Sequence, residues 1–221
     1  MTVLVIAPHP DDEVLGCGGV IAKRAAAGDE VWACIVSEGK QPMYSEEFVV
    51  NEENEMKNAH RKLGVTQCVT LRFPTALLDT IPQHEINDKL SEVIEMVQPD
   101  EVFIPHYGDI HRDHQIVADA AMVALRPNGK NKVRRILAYE TMSETDWNTP
   151  NIQNAFIPNV FEDISGYVVQ KTEALMMYRS QVQTYPAARS PIGIQGLALH
   201  RGATVGMESA EAFMLIREVA V

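Results

Sequence analysis

Two short segments of the chain are dense in side chains that can bind a metal ion or move a proton. The first, residues 7–13, reads Ala-Pro-His-Pro-Asp-Asp-Glu, with an imidazole at His9 and carboxylates at Asp11, Asp12 and Glu13. Two prolines flank the histidine and stiffen the turn, so little entropy remains to be lost on binding. Imidazole and carboxylate donors together suit a divalent ion of hard-to-borderline character. This segment therefore indicates a metal site.

The second segment, residues 105–114, reads Pro-His-Tyr-Gly-Asp-Ile-His-Arg-Asp-His. His111 and His114 are three residues apart, which places them near one another on a helical turn. Asp109 and Asp113 are interleaved with them. A carboxylate beside an imidazole fixes its tautomer and raises its basicity, as a metal ligand or a catalytic acid requires.

Both segments also have an ordinary structural interpretation. Acidic residues at a helix start complement the helix dipole and cap free N–H groups. A lone histidine in such a place is usually solvated or bonded to a backbone carbonyl. His9 has no comparable structural role between its two prolines, and a pair of histidines with interleaved aspartates disfavours that interpretation for the second segment.

Short apolar runs alternate with segments of helical period, which is typical of βαβ units that build a parallel sheet. We predict a single α/β domain over residues 1–221, with a mostly parallel sheet and helices on both faces. The predicted strands are residues 2–7, 30–36, 67–73, 101–105, 133–140 and 210–219. The predicted helices are residues 12–27, 45–63, 84–97, 112–125 and 166–181. The polar segment 141–158 is predicted to be a long functional loop, such as a lid.

The two chemical segments follow the first and the fourth predicted strand. Ligands of open α/β sheets bind outside the carboxyl ends of the strands, and parallel strands share that edge. We therefore expect His9, Asp12, His111 and His114 to converge there.

The composition of the chain limits which partners and which cellular compartment are expected. The formal net charge of −11 disfavours nucleic acid and anionic membranes as partners. No stretch approaches the roughly 18 apolar residues of a membrane span, and no leader pattern follows Met1, so a cytoplasmic location is expected. Cys17, Cys34 and Cys68 are scattered, which fits a reducing compartment, and we predict all three to be buried.

The two segments resemble the LmbE-like, or PIG-L-type, zinc-dependent N-acetylglucosaminyl deacetylase family. The similarity extends to Glu55, Ala59, Leu63-Gly64, Tyr178-Arg179-Ser180-Gln181, His200-Arg201-Gly202 and Glu211-Ala212-Phe213. It implies a Rossmann-like fold, a homo-oligomer, and removal of the acetyl group from an N-acetylated amino sugar. The substrate would be GlcNAc-like, or a precursor of a bacterial glycan or thiol.

The resemblance also implies one catalytic Zn²⁺ and a role for each residue of the site. The implied ligands are His9, Asp12 and His114. Three protein ligands leave a fourth position for a water whose pKa falls towards about 7. Asp11 corresponds to the general base, and His111, with Asp113 as its partner, to an electrostatic stabiliser or acid that assists the developing oxyanion and the leaving amine.

Departures from the family pattern concern substrate contacts. Glu52 stands where many relatives have an arginine, Thr75 where an aspartate is common, and Asp109 where some have a tyrosine. Candidate replacements for the missing sugar contacts are Arg179, Arg189 and Arg201, together with Trp147, which would stack on a sugar or pack in the lid.

Two other functions remain open from the sequence. A metal-dependent phosphoesterase, or another hydrolase, could use the same cluster and would bind a second ion near Asp11, Glu13 or Asp109. A non-catalytic sugar- or nucleotide-binding protein would instead hold a structural metal with four protein ligands. His60 and His84 are predicted to be surface residues.

Overall fold

A seven-stranded sheet organises the part of the chain that the computed structural model describes, residues 1–127 and 133–220. Its strands are β1 (Thr2–Ala7), β2 (Glu30–Glu38), β3 (Gln67–Pro74), β4 (Glu101–Pro105), β5 (Arg135–Tyr139), β6 (Val160–Asp163) and β7 (Ala210–Glu218). The helices are α1 (Asp12–Ala26), α2 (Glu46–Leu63), α3 (Gln83–Val97), α4 (Arg112–Ala124), α5 (Val168–Leu175) and α6 (Pro191–Ala203). A short 3₁₀ turn covers Leu78–Thr80.

The strand order is β3-β2-β1-β4-β5-β7-β6. The first five strands pair in parallel, whereas β7 is antiparallel to both of its neighbours. The chain therefore extends the sheet outward from β1 through β2 and β3, then returns to place β4 on the other side of β1. This reversal opens a crevice at the carboxyl ends of β1 and β4. The predicted mostly parallel α/β sheet is confirmed.

Helices cover both faces of the sheet, as predicted. One apolar cluster joins the sheet to α1, α2, α5 and α6, and a second joins it to α3 and α4. Strand β1 supplies both clusters, because its alternate side chains point to opposite faces and Val3 to Ala7 are all buried. Among the described residues, no helix combines the length and apolar character needed to cross a membrane.

The glycines of α1 allow this helix to lie close to its neighbours. A Cβ atom at Gly16 would lie 2.2 Å from Cδ2 of Tyr139, and one at Gly19 would lie 2.7 Å from Cδ1 of Ile164. Helix α1 is thereby held against the sheet, which fixes the position of its first turn at the crevice.

Several predicted elements differ from the structure. The helix predicted over residues 166–181 is shorter than expected, because only α5 is helical in this range. Strand β6 and helix α6 were not predicted. Helix α6 has a recognisable start, since the Ser190 side chain caps it and Pro191 occupies its first turn. Its three glycines lower the local propensity to form a helix. The free energy gained by packing against α5 and β7 outweighs this effect.

The prediction for the cysteines is correct at two positions. Cys17 and Cys34 are buried, but Cys68 is exposed. It lies on β3, an edge strand of the sheet, in which no residue is fully buried. Sequence pattern did not reveal that β3 is an edge.

A buried ion pair ties three elements together behind the crevice. The Lys171 ammonium donates to Glu211 Oε1 at 2.6 Å and to the carbonyl of Leu15 at 2.7 Å. The Glu211 carboxylate also accepts the backbone N–H groups of Gly19 and Val20, at 2.8 and 2.7 Å. Helices α1 and α5 and strand β7 are thus connected through charged groups that are almost entirely buried.

Replacing Lys171 by methionine should lower the free energy of unfolding by about 3–5 kcal/mol, because Glu211 would stay buried without its cation. Chemical denaturation measures the change. Lys62→Met is the control, since Lys62 pairs with Glu173 at an exposed site and should cost no more than about 1 kcal/mol. Equal losses in the two variants would contradict a stabilising role of the buried pair.

Candidate active site

The two chemical segments meet at the crevice between β1 and β4. The ring centroid of His9 lies 4.6 Å from that of His111 and 5.3 Å from that of His114. Asp12 begins α1, and His114 lies in the first turn of α4. The predicted convergence of these side chains is therefore what the structure shows.

His9, Asp12 and His114 form a cage whose donor atoms all lie within 4.8 Å of one another. Asp12 Oδ1 and His114 Nε2 are buried and have no hydrogen-bond partner among the described residues. His114 Nε2 lies 3.1 Å from Asp12 Oδ2, but the two atoms are not aligned for a hydrogen bond. Buried polar atoms without partners are costly, so this cage fits a cation. Two imidazoles and one carboxylate are donors that zinc accepts, with a fourth position left open.

Asp109 fixes the orientation of His114. The His114 Nδ1–H group donates to Asp109 Oδ2 at 2.8 Å, and the Thr145 hydroxyl donates to Asp109 Oδ1 at 2.5 Å. Because Asp109 takes the hydrogen bond from Nδ1, Nε2 is the atom that would offer its lone pair to a cation in the cage. Asp109, which departs from the family pattern, thus serves as the carboxylate partner of a cage histidine.

Asp113 is hydrogen-bonded to backbone rather than to the His111 imidazole. Its carboxylate accepts the N–H groups of Ala76 at 2.6 Å and Leu78 at 3.3 Å, and Oδ2 also lies 3.0 Å from His9 Nε2. The expected partnership with His111 takes another form, in which the Asp113 N–H donates to His111 Nδ1 at 3.1 Å.

His9, His111 and Asp113 form a second group of close donor atoms. The Asp113 carboxylate in this group already accepts two backbone N–H groups. Its demand for a cation is therefore weaker than that of the first cage, which contains the two unpaired atoms.

The protonation of His111 follows from its surroundings. Burial and the neighbouring imidazoles of His9 and His114 lower its pKa to about 4. His111 is accordingly neutral near pH 7. Since Nδ1 accepts a backbone hydrogen bond, the ring proton resides on Nε2.

Asp11 and Asp12 are adjacent but differ in acidity. Burial opposes ionisation of Asp12, yet the imidazoles of His114 and His9 hold its pKa well below the ordinary value. For Asp11, burial outweighs the opposing effect of Arg189 and raises the pKa well above the ordinary value. Asp12 is thus suited to be a permanent anion, whereas Asp11 is suited to exchange a proton.

Arg189 holds Asp11 in place. Its Nη1 donates to Asp11 Oδ2 at 2.8 Å, its Nη2 to Glu144 Oε1 at 3.1 Å, and its Nε to the Ser143 hydroxyl at 2.9 Å. Ser143 and Glu144 belong to the segment predicted as a lid, so this part of the segment closes one wall of the crevice. That it opens and closes stays a prediction.

The other candidate sugar contacts lie elsewhere. Arg201 forms a two-pronged ion pair with Glu140 in a different depression, and Arg179 lines a third. Trp147 is 64% exposed and is not among the described residues that line the crevice.

A buried network holds the backbone of Asp11 in a strained conformation. Asp11 has φ of 103°, which non-glycine residues rarely adopt, at a cost of about 1–3 kcal/mol. Its N–H donates to Glu13 Oε2 at 3.1 Å. Glu13 Oε1 accepts from the Tyr178 hydroxyl at 2.6 Å and lies 3.0 Å from His60 Nε2. The prediction that His60 is a surface residue is wrong, because it completes this network from α2.

The pocket beside the cage has a volume of about 140 Å³. It is lined by His9, Pro10, Asp11, Gly39, Tyr44, Glu52, Thr75, His111, Glu144, Gln181 and Arg189. Burial raises the pKa of Glu52 to about 7, against the opposing effect of His9. Tyr44 and Glu144 are pocket residues that were not predicted from the sequence, although Glu144 lies just beyond the carboxyl end of β5.

The His60 contact should make stability depend on pH. Burial opposes protonation of His60, but hydrogen bonds to Cys68 and Glu13 raise its pKa from 6.5 to about 10. The stabilisation of the folded state by protonated His60 is fully present below pH 6.5 and is lost as pH rises through about 10. We therefore expect His60→Gln to lower the free energy of unfolding relative to the wild type. This loss, measured by urea unfolding, should be at least about 1 kcal/mol larger at pH 6.5 than at pH 10.

His84→Gln, at an exposed histidine of α3, provides the control for that measurement and should show no such dependence. A stability difference for His60→Gln that is equal at both ends of the pH range would contradict the assigned protonation of His60.

The family model described as GlcNAc-PI de-N-acetylase, or PIG-L, matches residues 4–125. The uncharacterized deacetylase YaiS of Escherichia coli is 30% identical over 80% of this chain and 90% of its own length. A probable N-acetyl-α-D-glucosaminyl L-malate deacetylase 2 of Bacillus anthracis is 26% identical over 82% of each protein. The conserved protein TT1542 of Thermus thermophilus superimposes with a TM-score of 0.79 at 28% identity, covering 99% of this chain and 96% of its own. These similarities span both cage segments and the whole sheet, and the chain belongs to the PIG-L family.

Proposed function

We propose that this protein is a zinc-dependent hydrolase that removes the acetyl group from a small N-acetylated sugar. Its family and the named activities of its relatives support a deacetylase. The observation that carries the proposal is the cage of His9, Asp12 and His114, with its unpaired buried atoms, beside the proton-exchanging Asp11 in an open pocket.

The residues of the cage would hold the ion. When bound, zinc supplies a Lewis acid that polarises the acetyl carbonyl and lowers the pKa of the attacking water. Asp109 keeps His114 Nε2 directed into the cage, and Asp12 supplies the negative charge that retains a divalent cation.

Asp11 is the proposed general base. Arg189 occupies its Oδ2 atom, so Oδ1 is the oxygen that takes the proton from the attacking water. The raised pKa of Asp11 brings its proton affinity towards that of the water it must deprotonate. When the amide C–N bond breaks, Asp11 returns this proton to the departing nitrogen, which leaves as an amine while the acetyl group leaves as acetate.

His111 is proposed to act as a neutral hydrogen-bond donor. Its pKa of about 4 argues against the role of acid, which is one of the two roles that the family resemblance implies. Its Nε2–H group can instead donate a hydrogen bond to the acetyl oxygen as negative charge develops there, and it keeps its proton.

The two other functions receive less support. Each acid expected beside a second ion already has a protein partner: Asp11 bonds to Arg189, Glu13 to Tyr178, and Asp109 to His114. A structural metal would require a fourth protein ligand, and the described cage supplies three next to an open pocket.

The first test separates metal binding from turnover. Asp11→Asn should retain stoichiometric zinc by mass spectrometry but lose about 10²–10⁴-fold in acetate release, because proton transfer is removed. His114→Ala should lose the zinc, because its removal leaves two ligands. Asp88→Asn and His84→Ala, at exposed sites of α3, are the matched controls. Full activity in Asp11→Asn, or full zinc content in dialysed His114→Ala, would contradict these roles.

The second test concerns the form in which His111 acts. His111→Ala should keep its zinc and lose about 10²–10³-fold in kcat, because one donor to the oxyanion is missing. His111→Gln retains an N–H donor and should recover part of this loss. If glutamine and alanine reduce kcat equally, and if the wild-type rate falls with deprotonation of a group near pH 7, His111 acts as a charged acid instead.

A further inference from the structure

The ionisable side chains that line the pocket outside the proposed metal cage are mainly acidic. Asp11, Glu52 and Glu144 contribute three carboxyl groups, whereas Arg189 contributes one guanidinium. The unpaired Asp12 Oδ1 and His114 Nε2 mark the reacting end of this pocket independently of its charge.

Arg189 is already committed to protein partners. Two of its nitrogens donate to the carboxylates of Asp11 and Glu144, and the third donates to Ser143. An anionic substrate would have to compete for this guanidinium with the buried carboxylate of Asp11 and the partly buried carboxylate of Glu144, and each displaced carboxylate would lose its cation.

Glu52 has no such cation. It is 8% exposed on α2 and lines the pocket together with Gln181. No described lysine or arginine lies within ion-pair distance of it. Its carboxyl group offers hydrogen-bonding oxygens to a sugar hydroxyl, and in either protonation state it offers no positive charge to an anion.

We propose that this pocket selects an N-acetylated saccharide in which the group attached to the N-acetyl sugar carries no negative charge. The inference rests on the proposed deacetylase function. In its ionised form Glu52, which has no cation partner, repels an anionic substituent in a partly desolvated pocket, where charges interact more strongly than in water. Neutral hydroxyl groups satisfy the same carboxyl oxygens without that repulsion.

The test compares a neutral and an anionic substrate on the zinc-loaded enzyme: N,N′-diacetylchitobiose and N-acetyl-α-D-glucosaminyl L-malate. We expect kcat/KM for acetate release to favour the neutral sugar by at least about tenfold, equivalent to about 1.4 kcal/mol. Both values come from one preparation, so the fraction of active enzyme cancels in the ratio.

Glu52→Arg should reduce the preference at least about tenfold, mainly by lowering KM for the malate compound. Glu52→Gln removes the negative charge with little change of shape, and it should give a smaller shift in the same direction. Glu47→Arg makes the same charge change at an exposed site on the same helix and should leave the ratio unchanged.

The outcomes distinguish the two proposals. Equal or preferred turnover of the malate compound, or an unchanged ratio in both Glu52 variants, would overturn the charge selection while leaving the deacetylase intact. Acetate release from neither substrate would overturn the deacetylase function for these sugars. Calorimetric binding of the two sugars then decides the charge selection by itself, and tighter binding of the malate compound would reject it.

Discussion

The parallel pairing of β1 with β4 is the constraint on which the rest of the site depends. These strands are about a hundred residues apart in the chain, yet Val3 pairs with Glu101 and Val5 with Phe103. Their carboxyl ends consequently deliver His9 and His114 to the same crevice, with ring centroids 5.3 Å apart. The reversal of strand order at this point leaves no crossover above the crevice, so the two loops can face one another.

Rigid support behind this crevice keeps its groups in place. The strained backbone of Asp11 is held by Glu13, whose carboxylate is locked by Tyr178 and His60. Elements distant in sequence, α2 and the turn after α5, therefore stabilise a conformation that the first loop alone would avoid. The strain at Asp11 is consistent with a site whose geometry is set before a substrate binds.

Electrostatic interactions give neighbouring ionisable groups of the site different protonation states. Two adjacent aspartates acquire opposite properties, because imidazoles surround Asp12 while burial dominates at Asp11. His111 stays neutral beside the same imidazoles. The pocket outside the cage is mainly acidic. We propose that this acidity affects which substrate binds, and not how the amide bond is broken. In the proposed function, proton transfer and substrate selection thus depend mainly on different residues of one cavity.

The sequence by itself determined the sheet class and the two segments that carry the chemistry. Strand β1 and helix α1 are local patterns of burial and period, and the donor types of His9, Asp12 and His114 are evident without a structure. Tertiary structure decided the partners. It assigned Asp109 to His114, Arg189 to Asp11 and His60 to Glu13, contacts that join residues whose spacing carries no periodic signal. Helix α6 forms despite its three glycines, because packing against distant elements supplies free energy that local helix propensity does not include.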